Sequence, residues 1–356
     1  MRKIACLYHN SYVEARTRFR EAAGAAGAEL ITLELDARGP DGEGLAVDIA
    51  WFGASHPKRV FVHSSGTHGV EGFAGSAIQL QWLSEGIPAV PAGAAIAIVH
   101  ILNPYGMAWL RRVNENNVDL NRNFLAGGKP AGTPPAYWDA VNLLLNPASP
   151  PRWDGFYVRA AWLLLQHGMP TVRQAVAGGQ RVNPKGLFYS GTALEAGPAA
   201  FQKLMQERLA GAERILSIDV HTGLGRFGED RLLVDARLGG TRAHQEMLDA
   251  YGDRIEFLNK QGIAYAVSGA LHEMYFRSFP QARVGFASQE FGTYGALRVA
   301  AALRAENRWH HYGGGGINHV SKRALLAVFC PDDESWRASV LARGREVIAQ
   351  SLRLFG

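Results

Sequence analysis

Cysteine is nearly absent. Cys6 and Cys330 are the only two in 356 residues, too few for a disulfide framework and without the spacing of a cysteine metal site. Both stand in apolar surroundings, which reads as two buried, reduced thiols. Long hydrophobic runs are also missing. The apolar part of "MRKIACLYHNSYVEAR" is too short for a secretory signal, and no run reaches the length of a membrane span. The expectation is a soluble cytoplasmic protein with no membrane association. Charge is modest: a net +5, with 19% charged residues, is scattered through "RTRFR", "WLRR" and "SKR" rather than blocked. That gives nucleic-acid binding little support and suits a small anionic substrate at least as well. No Gly-x-Ser-x-Gly elbow occurs, which disfavours a serine hydrolase, and no internal repeat is visible.

Apolar residues make up 47% of the chain, ample for a large core. Strand-like segments ("KIACLYH", "AELITLEL", "AVDIAWFG", "RVFVHSS", "AGAAIAIVHIL", "RILSIDVH", "RLLVDA", "ARVGFASQEFG") alternate with segments of helical period such as "GFAGSAIQLQWLSEG" and "YGALRVAAALRAENRWHHY". This alternation implies an α/β fold, a mixed and mainly parallel sheet sandwiched by helices. The Trp-, Leu- and Pro-rich stretch at about residues 131–211 reads as a helical insertion in a single domain spanning 1–356. "GGGG" at 313–316 reads as a loop.

"VHSSGTHGVEGFAGS", residues 62–76, places His68 and Glu71 among small residues directly after a strand. The pattern is either a polar turn or two ligands of a metal ion awaiting a third. His221, ending "ILSIDV", is a candidate third ligand. Asp219, two residues earlier on the same strand face, is placed to orient a metal-bound histidine from behind. In open parallel sheets ligands gather at the carboxyl ends of strands, where "RVFV", "ILSIDV" and "VGFAS" all run out. On spacing alone His-x-x-Glu is common by chance among 12 histidines. His9, His56, His63, His100 and the pair in "RWHHYGG" lack partners at ligand spacing and read as ordinary core or surface residues.

"NPYGMAWLRRVNENNVDLNRNF", residues 103–124, adds more. With the pair at 68 and 71, the Asn-Pro-x-Gly turn, Asp-x-Asn-Arg-Asn-Phe, the strand-end His221 and a late Glu290, the chain resembles the zinc carboxypeptidase superfamily. The likeness runs along most of the chain. It is closest to a bacterial branch, known mainly as a domain of unknown function, that shares "SGTHGVEGFAGS", "NNVDLNRNF", "DVHTGLG" and "QEFGTY". The aspartoacylase and succinylglutamate desuccinylase branch shares the site and less of the rest.

The resemblance implies one Zn²⁺ per chain on His68, Glu71 and His221. It also implies Asn121 and Arg122 as the holders of a substrate carboxylate, for which a planar guanidinium is suited. Glu290 would be the general base and then acid, and Arg112, or its neighbour Arg111, the stabiliser of the oxyanion. Without the resemblance, Arg122 would be read as paired with Asp119. Tyr265 in "AYAVSGA" resembles the superfamily's mobile tyrosine segment weakly and reads better as a buried strand tyrosine. The implied reaction is hydrolysis of an amide bond next to a free carboxylate, by a carboxypeptidase or, alternatively, an N-acyl-amino-acid deacylase. A different class is suggested by Gly223-x-Gly225-x-x-Gly228 after a strand, the spacing of a nicotinamide-dinucleotide fingerprint. That fingerprint requires a helix to begin among the glycines, and "EDRLLVDARLGG" reads as a hairpin strand instead. A non-catalytic binding module on the same scaffold would have no need of Glu290.

Overall fold

The computed structural model describes residues 6–124, 138–169, 171, 172, 175, 178–235, 240–257 and 269–355. Strands in chain order are β1 (Glu29–Arg38), β2 (Gly44–Gly53), β3 (Arg59–Ser65), β4 (Ala94–His100) and β5 (Arg214–Gly223). They are followed by β6 (Asp230–Val234), β7 (Ile255–Phe257) and β8 (Arg283–Gly292). The central strands are apolar and buried on both faces rather than alternating: every residue of β4, and every residue of β3 and β5 after the first, is buried. Such strands require cover on both sides.

That cover is helical. α1 (Tyr12–Ala25), α2 (Gly72–Glu85) and α11 (Glu334–Phe355) lie on one face, where Phe19, Trp82, Trp336 and Val340 share a core with Phe61 and Ile96. α6 (Ala196–Arg208) and α8 (Leu271–Ser278) cover the other, where Phe201, Met205 and Tyr275 pack on Val60, Val62 and Phe286. Successive β3 residues thus point to opposite cores, as a pleated strand demands. Further helices among the described residues are α3 (Pro104–Ala108), α4 (Trp138–Leu145), α5 (Phe156–His167), α7 (Arg242–Tyr251), α9 (Ala296–Tyr312) and α10 (Val320–Phe329). A third cluster joins Trp138, Leu144, Phe156 and Leu163 of α4 and α5 to Leu303, Leu325 and Phe329 and to Val70 beside Glu71. Within the 131–211 span, α4 and α5 therefore stand beside the site, whereas α6 serves the sheet.

The sheet order is β1-β2-β4-β3-β5-β8-β6-β7. β4, β3, β5 and β8 run parallel to one another, as do β6 and β7, while β1–β2, β2–β4 and β8–β6 pair antiparallel. The fold is the mixed, mainly parallel α/β sandwich expected from the sequence. From β3 the chain crosses through α2 to β4 on one side, and β5 joins β3 on the other. The order reverses there, which opens a crevice at the carboxyl ends of β3 and β5, the place where open sheets bind ligands.

Some expectations are corrected. Cys6–His9 is turn and irregular chain rather than strand. Cys6 is exposed and only Cys330 is buried. β7, with three residues, and the short helices α8 and α10 were not among the elements expected from the sequence. Tyr265 lies outside the described residues. Among the described residues no helix is long and apolar enough to cross a membrane.

Candidate metal centre and active site

The loop after β3 depends on glycine. It runs through Thr67 and His68 into the 3-10 turn Gly69–Glu71 and then α2. A Cβ on Gly69 would lie 2.1 Å from the Gly106 carbonyl carbon, because this loop packs directly on the Asn-Pro-x-Gly turn. Asn103 caps that turn: its Oδ1 accepts from Gly106 N at 2.8 Å, and its Nδ2 donates to Arg112 O at 3.1 Å. Gly69 N and Val70 N donate in turn to the carbonyls of Arg112 and Arg111, at 3.1 and 2.8 Å. The two sequence motifs are therefore one interlocked unit. Gly69→Ala must push backbone apart and is expected to cost about 3 kcal/mol, seen as a lowered Tm; an unchanged Tm would show that the loop yields freely.

His68, Glu71 and His221 are all buried, and each offers a ligand atom within 4.8 Å of the others. Glu71 sits between the two rings, with Oε1 3.0 Å from His68 Nδ1 and Oε2 3.1 Å from His221 Nδ1. His68 Nδ1 is out of line for a hydrogen bond to that oxygen and has no aligned partner among the described residues. Behind the rings, His68 Nε2 lies 3.0 Å from Asp119 Oδ1 and His221 Nε2 lies 2.7 Å from Asp219 Oδ2. Each Nε2 faces its carboxylate, which turns both Nδ1 atoms toward Glu71, the side from which a metal would be held. Without a metal, a second proton on His221 Nδ1 bridges to Glu71, and a cation bound there would take its place.

The electrostatics follow this pattern. Burial opposes the charged form of His221, yet Asp219 and Glu71 hold its pKa well above the ordinary histidine value. Burial also opposes ionisation of Glu71, yet His68, His221 and Arg112 hold its carboxyl well below the usual range. Two imidazoles oriented by carboxylates, one ionised glutamate and an orphaned buried nitrogen are a donor set that fits zinc.

Asp119 links this triad to the arginines. Fully buried, it accepts from Arg112 Nε at 3.1 Å and from Arg122 Nη1. Burial works against its charge, but Arg122, Arg112 and His68 hold its pKa well below the usual range. The Arg122–Asp119 pair is thus present, inside the site. Burial in turn brings the Arg122 pKa down to about 10. Arg112 Nη1 donates to Glu71 Oε1 at 3.0 Å, and its Nη2 lies 2.8 Å from His68 Nε2, where it competes with Asp119 for that nitrogen. Arg111 faces away, bonded to Glu306, Asn117 and Asn307. Asn121 accepts from Leu271 N at 3.1 Å and so ties residues 111–124, the arginine arm, to α8. Asp119→Asn removes the charge behind His68 while keeping an acceptor, and is expected to weaken metal binding 10- to 100-fold, on the order seen for such partners, in a chelator competition.

Glu290 stands beside His221, its register partner on the adjacent parallel strand. Leu224 N donates to its Oε1 at 2.8 Å. Burial first, and the Glu71 charge second, push its pKa up to about 7. The Gly223–Gly228 run has a different task from the one its spacing suggests. It leaves β5 and reaches β6 with no helix between, so it offers no helix N-terminus to a pyrophosphate. A Cβ at Gly223, where φ is +139°, would stand 3.1 Å from the Phe329 ring and 3.6 Å from Glu290 Oε1. The run lets the chain close over Glu290.

The contact of Asp119 with His68 is what sequence reasoning missed: the two lie 51 positions apart, and no spacing rule links them. His63 and His100 are core residues, whose pKa values burial lowers to about 4 and about 3.

Among solved structures, carboxypeptidase A from Helicoverpa armigera is 17% identical, over 90% of this chain and 74% of that chain, with a TM-score of 0.45. Murein-tripeptide amidase MpaA from Escherichia coli O157 is 17% identical over 82% of this chain and 96% of its own, with a TM-score of 0.39. A succinylglutamate desuccinylase from Silicibacter sp. TM1040 is 12% identical over 80% and 67%, with a TM-score of 0.41. No curated protein matches the chain. Residues 8–343 match one family throughout, and the chain therefore belongs to the family described as Protein of unknown function (DUF2817).

Proposed function

We propose that the protein is a zinc-dependent hydrolase that cleaves an amide bond adjacent to a free carboxylate, a carboxypeptidase in the first instance. The observation that carries this reading is the convergence of His68 Nδ1, Glu71 and His221 Nδ1 with Glu290 in register beside them. His68, Glu71 and His221 would hold the ion, which when bound supplies Lewis acidity, polarising a carbonyl and acidifying water. Glu290, half-buried beside the ligand set, accepts a proton from the attacking water and returns it to the departing nitrogen. The Leu224 N–H on Oε1 fixes the carboxyl and leaves Oε2 to carry the proton. Arg112 can turn a guanidinium N–H from Glu71 to a carbonyl oxygen as negative charge develops there. Asn121 and Arg122 receive the substrate carboxylate, and Asp219 and Asp119 keep the two imidazoles in the required tautomer.

The test is metal analysis followed by a substrate panel. The purified protein is expected to hold about one zinc per chain and to hydrolyse dipeptides blocked at the amino end, losing activity when their terminal carboxylate is amidated. Preference for N-acyl amino acids over such peptides would select the deacylase alternative. Turnover that survives complete chelation would overturn the reading.

A further inference from the structure

The segment Gly179–Ser190 forms a braced strap across the arginine arm. Gln180 N donates to Phe188 O at 2.9 Å and Ser190 N to Gln180 O at 3.0 Å. Hydrogen bonds fasten the strap to the arm: Asp119 N to Tyr189 O at 2.8 Å, Asn117 Nδ2 to Pro184 O and Gly186 O at 2.9 Å each, and Asn123 Nδ2 to Ser190 O at 3.0 Å. Phe188, at the centre, has a φ of +60°, a left-handed conformation that a bulky side chain rarely adopts and that surroundings must enforce. Its buried ring has the Arg112 guanidinium carbon 5.5 Å and the Arg122 one 5.2 Å from its centroid, both over the face. A Cβ on Gly179 would stand 2.7 Å from Arg122 Cδ, so glycine lets the strap close on the Arg122 stem.

We propose that Phe188 is a positioning residue for these arginines, its ring holding the Arg112 and Arg122 guanidinium groups together and out of water as a preorganised receptor for a substrate carboxylate. The inference rests on the reading above that the arginine arm binds a carboxylate. Two adjacent cations repel, and the carboxylates beside them, Asp119 on both and Glu71 on Arg112, are shared with the two histidines. The negative face of an aromatic ring offsets part of the remaining repulsion. The same ring excludes water, which strengthens the field that an incoming anion meets.

The experiment uses the zinc-loaded protein and two probes, N-acetyl-phenylalanine and its amide, in titration calorimetry. Phe188→Leu keeps the apolar bulk and the unfavourable φ, whereas Phe188→Gly relieves the φ; both remove the ring. Both are expected to weaken binding of the acid about 5- to 10-fold with little change for the amide, and Phe188→Tyr is expected to restore it. Phenylglyoxal labelling of Arg112 and Arg122, mapped by mass spectrometry, should quicken severalfold in the Leu and Gly variants. An equal loss for both probes, or wild-type behaviour of Phe188→Leu, would overturn the proposal. If the wild-type protein binds neither probe, the carboxylate reading itself fails, and unchanged labelling rates then also overturn the role of the ring.

Discussion

Glu290→Gln is expected to lower turnover by about 10³-fold, the range for loss of a positioned acid–base group, while zinc content stays at the wild-type level. Glutamine keeps the shape and can still accept from Leu224 N, so binding geometry survives and proton transfer does not. The same substitution has a signature independent of substrate. In the metal-free protein the Glu290 pKa is raised to about 7, chiefly by burial, against about 4.3 in an unfolded chain. The native state therefore holds a proton that the unfolded state has already released. Stability from this group is fully present below about pH 4.3 and is lost as pH climbs through 7. Metal-free Glu290→Gln should lack that decline and melt higher than the wild type at pH 8. Retained turnover would remove Glu290 as the base, and a wild-type pH profile of melting would mean that its carboxyl is not held neutral.

His221→Ala is expected to empty the metal site and abolish activity. Bound zinc should fall from about one per chain to near zero. The loss has two parts. One of two imidazole donors disappears, and Asp219, fully buried, keeps Ser64 and Thr67 as donors but loses its cationic neighbour. A buried carboxylate stripped of its partner charge costs about 3 kcal/mol, so the metal-free variant should also melt lower than metal-free wild type. Wild-type zinc content in this variant would exclude His221 as a ligand. Unchanged melting would mean that Asp219 is satisfied by its hydroxyl donors alone.

The sheet was legible because its central strands are continuous apolar runs bounded by glycine and polar turns, a local signal that survives any tertiary arrangement. "RVFVHSS" and "RILSIDVH" became β3 and β5 close to their expected bounds. β7 was not legible: a strand of three residues, Ile255–Phe257, has no period to read. Cys6 illustrates the limit of inferring burial from composition, since its apolar neighbours did not bury it. At the site, the spacing of His68 and Glu71 was visible and so was Asp219, two residues from the ring it supports. Asp119 was visible only as a neighbour of Arg122. Its place behind His68 arises because the arginine arm folds back to hydrogen-bond the ligand loop.

The sequence by itself determined the alternation of strands and helices, the glycines that permit close approach, and the titratable residues stationed where strands end. These are properties of neighbours along the chain, where backbone geometry and side-chain period act within a few residues. Tertiary structure alone decided which of two adjacent arginines turns toward Glu71, that Asp119 bridges His68 and both Arg112 and Arg122, that a glycine run of dinucleotide spacing instead encloses Glu290, and that Phe188 lies over two guanidinium groups. Each of those depends on the crossing of the chain at β3, which brings together segments distant in sequence, and on burial. Burial changes the energy of a charge by far more than any local propensity, and it exists only once the layers have closed.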